Sequence, residues 1–115
     1  MSQDLPLTFR ATVIAGERCD DDLEVHWNGL LVGRIRKSHG IPAGLPDWSW
    51  SMALPGQPQE PWQRGVCRDP EDAKQRFQMA WFLITRRLSE RDIEDAHRIV
   101  ANSRELTARW SRRGH

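Results

Sequence analysis

Apolar and polar residues alternate along Leu7-Thr8-Phe9-Arg10-Ala11-Thr12-Val13-Ile14, with Leu7, Phe9, Ala11 and Val13 on one side. That period of two predicts a half-buried strand ending at Ala15-Gly16. The next residues, Cys19-Asp20-Asp21-Asp22, are too polar to pack and bond readily to their own backbone, so they are expected to form a turn. Leu23-Glu24-Val25-His26-Trp27 and Leu30-Leu31-Val32-Gly33-Arg34-Ile35-Arg36 flank Asn28-Gly29, whose tolerance of positive φ suits a type I′ hairpin turn. A two-residue loop sets Trp27 opposite Leu30 and Val25 opposite Val32, and these four residues form the expected buried face. Glu24, His26, Leu31, Gly33 and Ile35 then share the other face, which is not cleanly polar and is expected to be covered.

Gly40, Pro42, Gly44 and Pro46 break regular structure between Ser38 and Asp47, a loop expected to bridge across the sheet. Trp48-Ser49-Trp50-Ser51-Met52-Ala53-Leu54 alternates strictly, with the large side chains on one face, and predicts a further strand. The proline-rich run from Pro55 to Pro61 reads as an exposed connector, and Gly65-Val66-Cys67-Arg68 can add a short strand. Asp69-Pro70-Glu71-Asp72 combines an N-cap, a proline at the first helical position and two acids at the positive end of the dipole. A helix is expected over about 70–88. Ala73, Phe77, Ala80, Trp81, Ile84 and Leu88 would mark its sheet-packed face, with Lys74, Gln75, Gln78 and Arg86 nearer water. Met79, Phe82 and Leu83 widen the apolar surface and imply a second packing partner. Ser89 and Asp92 resemble a capping box for a second helix over about 90–111, amphipathic through Ile93, Ala96, Val100, Thr107 and Trp110.

The expected architecture is a single α+β domain spanning 1–115: an antiparallel sheet of about four strands over 7–54, a proline-rich loop over 55–64, and two C-terminal helices, the first packed on the sheet. A chain of 115 residues holds one core and little else. No stretch approaches the roughly 18 apolar residues of a membrane span, and Met1 to Arg10 lacks a secretory layout, so a bacterial-type cytoplasmic location is expected. Cys19 and Cys67 are far apart and form no metal-type pair, so two reduced thiols are expected rather than a disulfide or zinc site.

The net charge of +1 argues against strong non-specific attraction to nucleic acid or lipid, but its distribution is uneven. Residues 1–24 set Arg10 and Arg18 against six acids, whereas residues 98–115 set five arginines against Glu105 alone. An acidic beginning and a basic end can orient a partner or let two copies meet head to tail. Arginine outnumbers lysine fifteen to two, which suits phosphate or carboxylate recognition or reflects coding bias.

Through Val32-Gly33-Arg34-Ile35, Trp48-Ser49-Trp50-Ser51 and Ala73 to Ala80-Trp81, the chain resembles a loose group of short uncharacterised bacterial proteins. These share a strand ending in Val-Gly-Arg-Ile, a Trp-x-Trp strand and a helix containing Ala-Trp. The resemblance covers roughly residues 23–85, implies the same fold and carries no activity that can be transferred.

No phosphate-binding glycine loop, nucleophile elbow or His-Glu-x-x-His helix is present, so no catalytic residue is assigned and an enzyme ranks third. His26 beside Asp20, Asp21, Asp22 and Glu24 does not follow a calcium-loop spacing, and a solvated turn is preferred. A cysteine nucleophile paired with His26, His39 or His97 has no support in the sequence. Neither a metal nor a cofactor is expected. Six tryptophans are many for this length; Trp48 and Trp50 are expected to pack against Phe77 and Trp81 rather than form a stacking platform, leaving Trp62 and Trp110 as candidate exposed anchors.

The leading functional expectation is a small non-catalytic module for protein interaction or self-association through the second helix. Its apolar anchors would be Ile93, Val100, Leu106 and Trp110, and its polar rim Arg98, Arg104 and Arg109. Docking of that helix on its own domain is the competing arrangement. Under the interaction reading, removing residues 89–115 is expected to leave the sheet folded. The alternative is nucleic-acid binding through Arg34, Arg36, Lys37 and His39 at the hairpin end, with Arg112 and Arg113 in the tail. The hairpin-plus-helix outline is similar to small sheet domains of some phage integrases, as an analogy of fold only.

Overall fold

Two tight turns set the sheet. Ala15 (φ 52°) and Gly16 (φ 83°) close one, and Asn28 (φ 51°) and Gly29 (φ 75°) close the other, each pair taking the left-handed angles of a type I′ turn. The computed structural model describes residues 6–113, with the backbone alone at Ile14 and over 111–113. Five antiparallel strands, β1 (Thr8–Ile14), β2 (Glu17–Trp27), β3 (Leu30–Lys37), β4 (Trp48–Met52) and β5 (Arg64–Cys67), each pair with the next in sequence. Two helices follow, α1 (Pro70–Thr85) and α2 (Glu90–Arg113). The fold is α+β, with α1 packed on the sheet.

Three local expectations are corrected. Cys19-Asp20-Asp21-Asp22 is strand, not turn, because Ala15-Gly16 already reverses the chain and carries the acids up into β2. Thr12 pairs with Cys19 but Ala11 with Leu23, so the intervening acids bulge away from β1. In the second hairpin Trp27 does face Leu30, but Val25 faces Gly33 rather than Val32. The extra residue at Val32 lets Leu30, Val32, Gly33 and Ile35 all serve the inner face, so Ile35, expected outside, is fully buried. The loop over 38–47 does not bridge the sheet. It closes a wide hairpin between the neighbours β3 and β4, with the Ser38 amide bonded to the Asp47 carbonyl at 2.7 Å.

The core lies between the inner sheet face and α1. Asp69 caps α1 by accepting the Asp72 amide at 2.7 Å, and Pro70 occupies the first helical position. The helix then buries Ala73, Phe77, Ala80 and Trp81. Phe77 meets both Phe9 and Trp50 edge-on at 6.2 Å, and Trp27 lies 5.1 Å from Trp81, so the aromatic side chains expected in the core are there. Regular α1 ends at Thr85, earlier than expected, where the Arg87 amide bonds to the Ile84 carbonyl at 2.9 Å. Leu88 still reaches the core. The proline-rich connector is anchored rather than loose: Gln63, in a 3-10 turn, is buried and donates to the Met52 carbonyl at 3.2 Å.

At the start of α2, Ser89 and Asp92 exchange reciprocal bonds, 3.1 Å from the Asp92 amide to the Ser89 hydroxyl and 2.9 Å from the Ser89 amide to the Asp92 carboxylate. Ile93 and Ala96 are buried in the core, and Val100 packs partly against it. An Asn28–His97 contact at 3.3 Å ties the helix to the β2–β3 turn. From Ala101 to Trp110 every residue of the helix is exposed. The radius of gyration, 16.0 Å, exceeds the roughly 13 Å of a compact domain this size, and the projecting half of α2 contributes to the excess.

Candidate interaction surfaces

The first half of α2 is held by its own chain and the second half is not. Ala101 to Trp110 are all exposed, about 15 Å of helix at 1.5 Å per residue. Ser103, Leu106 and Trp110 recur at helical spacing and line one side of it, with Trp110 77% exposed, while Ile99 just before them lies against Gly56 of the connector. Arg109 pairs with Glu105 and Arg98 with Asp95, both at 2.7 Å, which stiffens the exposed faces without covering the apolar one.

A second uncovered stripe runs along α1. Gln75, Gln78, Met79, Phe82 and Leu83 line a groove of about 470 Å³ on the helix face turned away from the sheet. Met79, Phe82 and Leu83 are 68%, 58% and 50% exposed, whereas the residues facing the sheet are buried. Arg86 lies 4.6 Å over the Phe82 ring at one end of the groove. These apolar residues find no covering partner within the described chain.

The outer sheet face presents a different chemistry. Cross-strand register aligns Arg10, Glu24, Arg34, Ser51 and Arg64 in one row over all five strands, and Asp22, Arg36, Ser49 and Val66 in the next. Asp22 is almost fully buried because the Arg34 guanidinium grips it through two bonds, at 2.9 and 3.2 Å, and Arg36 approaches to 3.6 Å. Arg64 enters no ion pair among the described residues. Ser49, Ser51, Gly65 and the exposed Val66 complete, with these arginines and Trp50, the lining of a shallow trough of about 400 Å³.

A fourth feature is a cleft of about 550 Å³ between β1, the β2–β3 turn and α2, where Arg10 and Arg104 stand with Thr8, His26, Leu31 and Val100. Beside it the Glu24 carboxylate meets His26 Nε2 at 3.0 Å and orients the ring. Among the described residues no group of three or more His, Cys, Asp or Glu side chains is gathered for a metal ion. Cys19 and Cys67 are unbridged, and burial, with the Asp72 carboxylate as the next cause, pushes the Cys67 thiol above its ordinary pKa. No described helix is long and apolar enough to cross a membrane.

The anchors expected from the sequence are divided by this arrangement. Ile93 is core and Val100 is half-buried against it, while Leu106 and Trp110 are free. Arg98 and Arg109 stand on exposed helix as a rim would, and Arg104 turns to the cleft. Trp62, the other candidate anchor, instead packs against the core, donates to the Glu60 carboxylate and lies under Arg87 at 5.5 Å. Arg34 and Arg36 share the outer face. Lys37 pairs across from Trp48 in the inner-face register, and His39 stands 3.9 Å from Asp21. The side chains of Arg112 and Arg113 lie outside the described residues. Sequence reading missed Arg64 and Asp22, whose placement depends on β5 and on the β2 bulge. No protein-family model, curated protein or solved structure matches the chain.

Proposed function

We propose that this protein is a small non-catalytic binding module that associates with a second copy of itself, the projecting half of α2 from one copy lying in the α1 groove of the other. The observation that carries this reading is the pair of uncovered stripes on one chain, Leu106 and Trp110 on α2 and Met79, Phe82 and Leu83 on α1. A reciprocal two-fold exchange covers both stripes twice with one geometry. The acidic beginning and basic end of the chain give such copies a favoured relative orientation. Each large side chain buried contributes roughly 1.5–3 kcal/mol, so the two stripes, each covered twice in the pair, are of the size needed to offset an association cost of about 4–15 kcal/mol. Two unbridged cysteines fit a cytoplasmic setting for it.

Size exclusion with light scattering on the full-length chain tests this reading. A dimer is expected at tens of micromolar, and Phe82→Glu and Trp110→Glu are each expected to yield folded monomers. An equimolar mixture of the two variants retains one intact contact and is expected to recover part of the dimer. A wild-type protein that stays monomeric to millimolar concentration would transfer both stripes to a different protein partner.

A further inference from the structure

We infer that the outer face of β3, β4 and β5 is a binding surface for the phosphate backbone of duplex DNA, with Arg34, Arg36 and Arg64 as the phosphate-contacting residues. Arg34, Arg36 and Arg64, with Arg10 at the far end of the same row, stand against the carboxylates of Asp22 and Glu24 and leave an excess of positive charge on this face, although the whole chain carries only +1. Local surplus of this kind attracts a polyanion even when the molecule as a whole is nearly neutral.

Preorganisation is the second observation. Asp22 is 7% exposed, and its two-bond grip holds Arg34 against the sheet with Arg36 alongside. A guanidinium fixed in this way loses less side-chain freedom on contacting a phosphate, and its remaining N–H groups are still available. Arg36 and Arg34 are 58% and 43% exposed at the side chain, so both present that unused capacity to solvent.

The third observation is shape. Arg34 and Arg64 stand two strands apart across Ser51, about 10 Å at the usual strand spacing, with Ser49 and Val66 in the next row and Gln59 bonded to the Ser51 hydroxyl at 2.7 Å. The β4–β5 margin, where β5 is the edge strand, is two strands wide, the width of ribbon that a B-form major groove of about 12 Å accepts, whereas the deep, narrow major groove of an RNA duplex does not. Single strands need stacking platforms, and no aromatic ring stands on this face among the described residues because Trp48 and Trp50 point into the core. A DNA duplex is therefore the nucleic acid that fits. This inference is independent of self-association through the helices.

The test is fluorescence anisotropy of a labelled 20-base-pair DNA duplex with full-length protein, over a series of salt concentrations. Three phosphate contacts give a log–log salt slope of about −2.7, and Arg64→Gln should reduce its magnitude by about one. Arg64→Glu and Ser51→Glu, both at exposed positions outside the core, should each weaken binding at 50 mM salt by roughly tenfold, with circular dichroism unchanged. Arg34 is left intact because removing it strands a buried carboxylate. No binding at 50 mM salt, a flat salt dependence, or single-stranded DNA or duplex RNA bound as tightly would each overturn the inference. So would binding that survives both glutamate variants yet disappears on deleting 111–115, an outcome assigning the contact to the tail.

Discussion

Built onto Gly33, a Cβ would lie 2.3 Å from the Ser51 carbonyl oxygen and 2.4 Å from the Phe77 ring. Both neighbours are fixed, one as strand backbone and the other as a fully buried side chain between Phe9 and Trp50. Gly33→Ala is expected to destabilise the fold by about 1–3 kcal/mol, lowering Tm by roughly 5–15 °C. An unchanged Tm in a thermal melt would mean that α1 sits less closely on the sheet than described. The glycine's role was not legible in the sequence, because simple alternation put position 33 on the outer face. Only the bulge at Val32, a consequence of how three strands share one core, turns it inward. Asp22 was hidden for a related reason. In sequence it is the last of three consecutive aspartates, and the arginines that bury it come twelve and fourteen residues later.

Most of the elements were legible, since each carries its own local signal: alternation for β4, the Asn-Gly turn for β2 and β3, and an Asp-Pro start for α1. The second helix shows both the strength and the limit of such signals. Its Ser89–Asp92 box forms as expected, and Asp92 is held below the usual carboxylate pKa by the Ser89 amide, then the Ser89 hydroxyl and Gln57. The folded chain therefore binds this proton less readily than the unfolded chain. The stabilisation is complete above the ordinary carboxylate range and is lost as pH falls through that range toward the lowered folded value. Asp92→Asn should accordingly flatten the acid limb of a Tm-against-pH curve, and parallel curves for variant and wild type would show that the box contributes nothing. What the pattern of α2 could not disclose was the division of its apolar stripe, because a helix that packs on its own domain and one that packs on another chain show the same spacing.

At the scale of the molecule that division defines where the chain can be cut. Removing 89–115, which the sequence suggested would spare the sheet, takes Ile93 and Ala96 out of the core. Removing 101–115 takes only exposed helix and the terminal residues. The shorter protein is expected to keep a Tm within a few degrees of wild type and to run as a monomer, whereas the 89–115 deletion should melt at least 10 °C lower, consistent with loss of two buried side chains. Equal melting temperatures for the two truncations would show that the first half of α2 is not part of the core. The sheet itself has a further consequence, through its order. Every strand finds its partner in the strand just before it, so each hairpin can close as soon as its second arm has left the ribosome, without waiting for distant sequence. The stripe on α2 is synthesised after the sheet and α1, and so emerges when the competing apolar surfaces of its own nascent chain are already packed. Vectorial synthesis thereby favours correct intramolecular assembly before any encounter between copies.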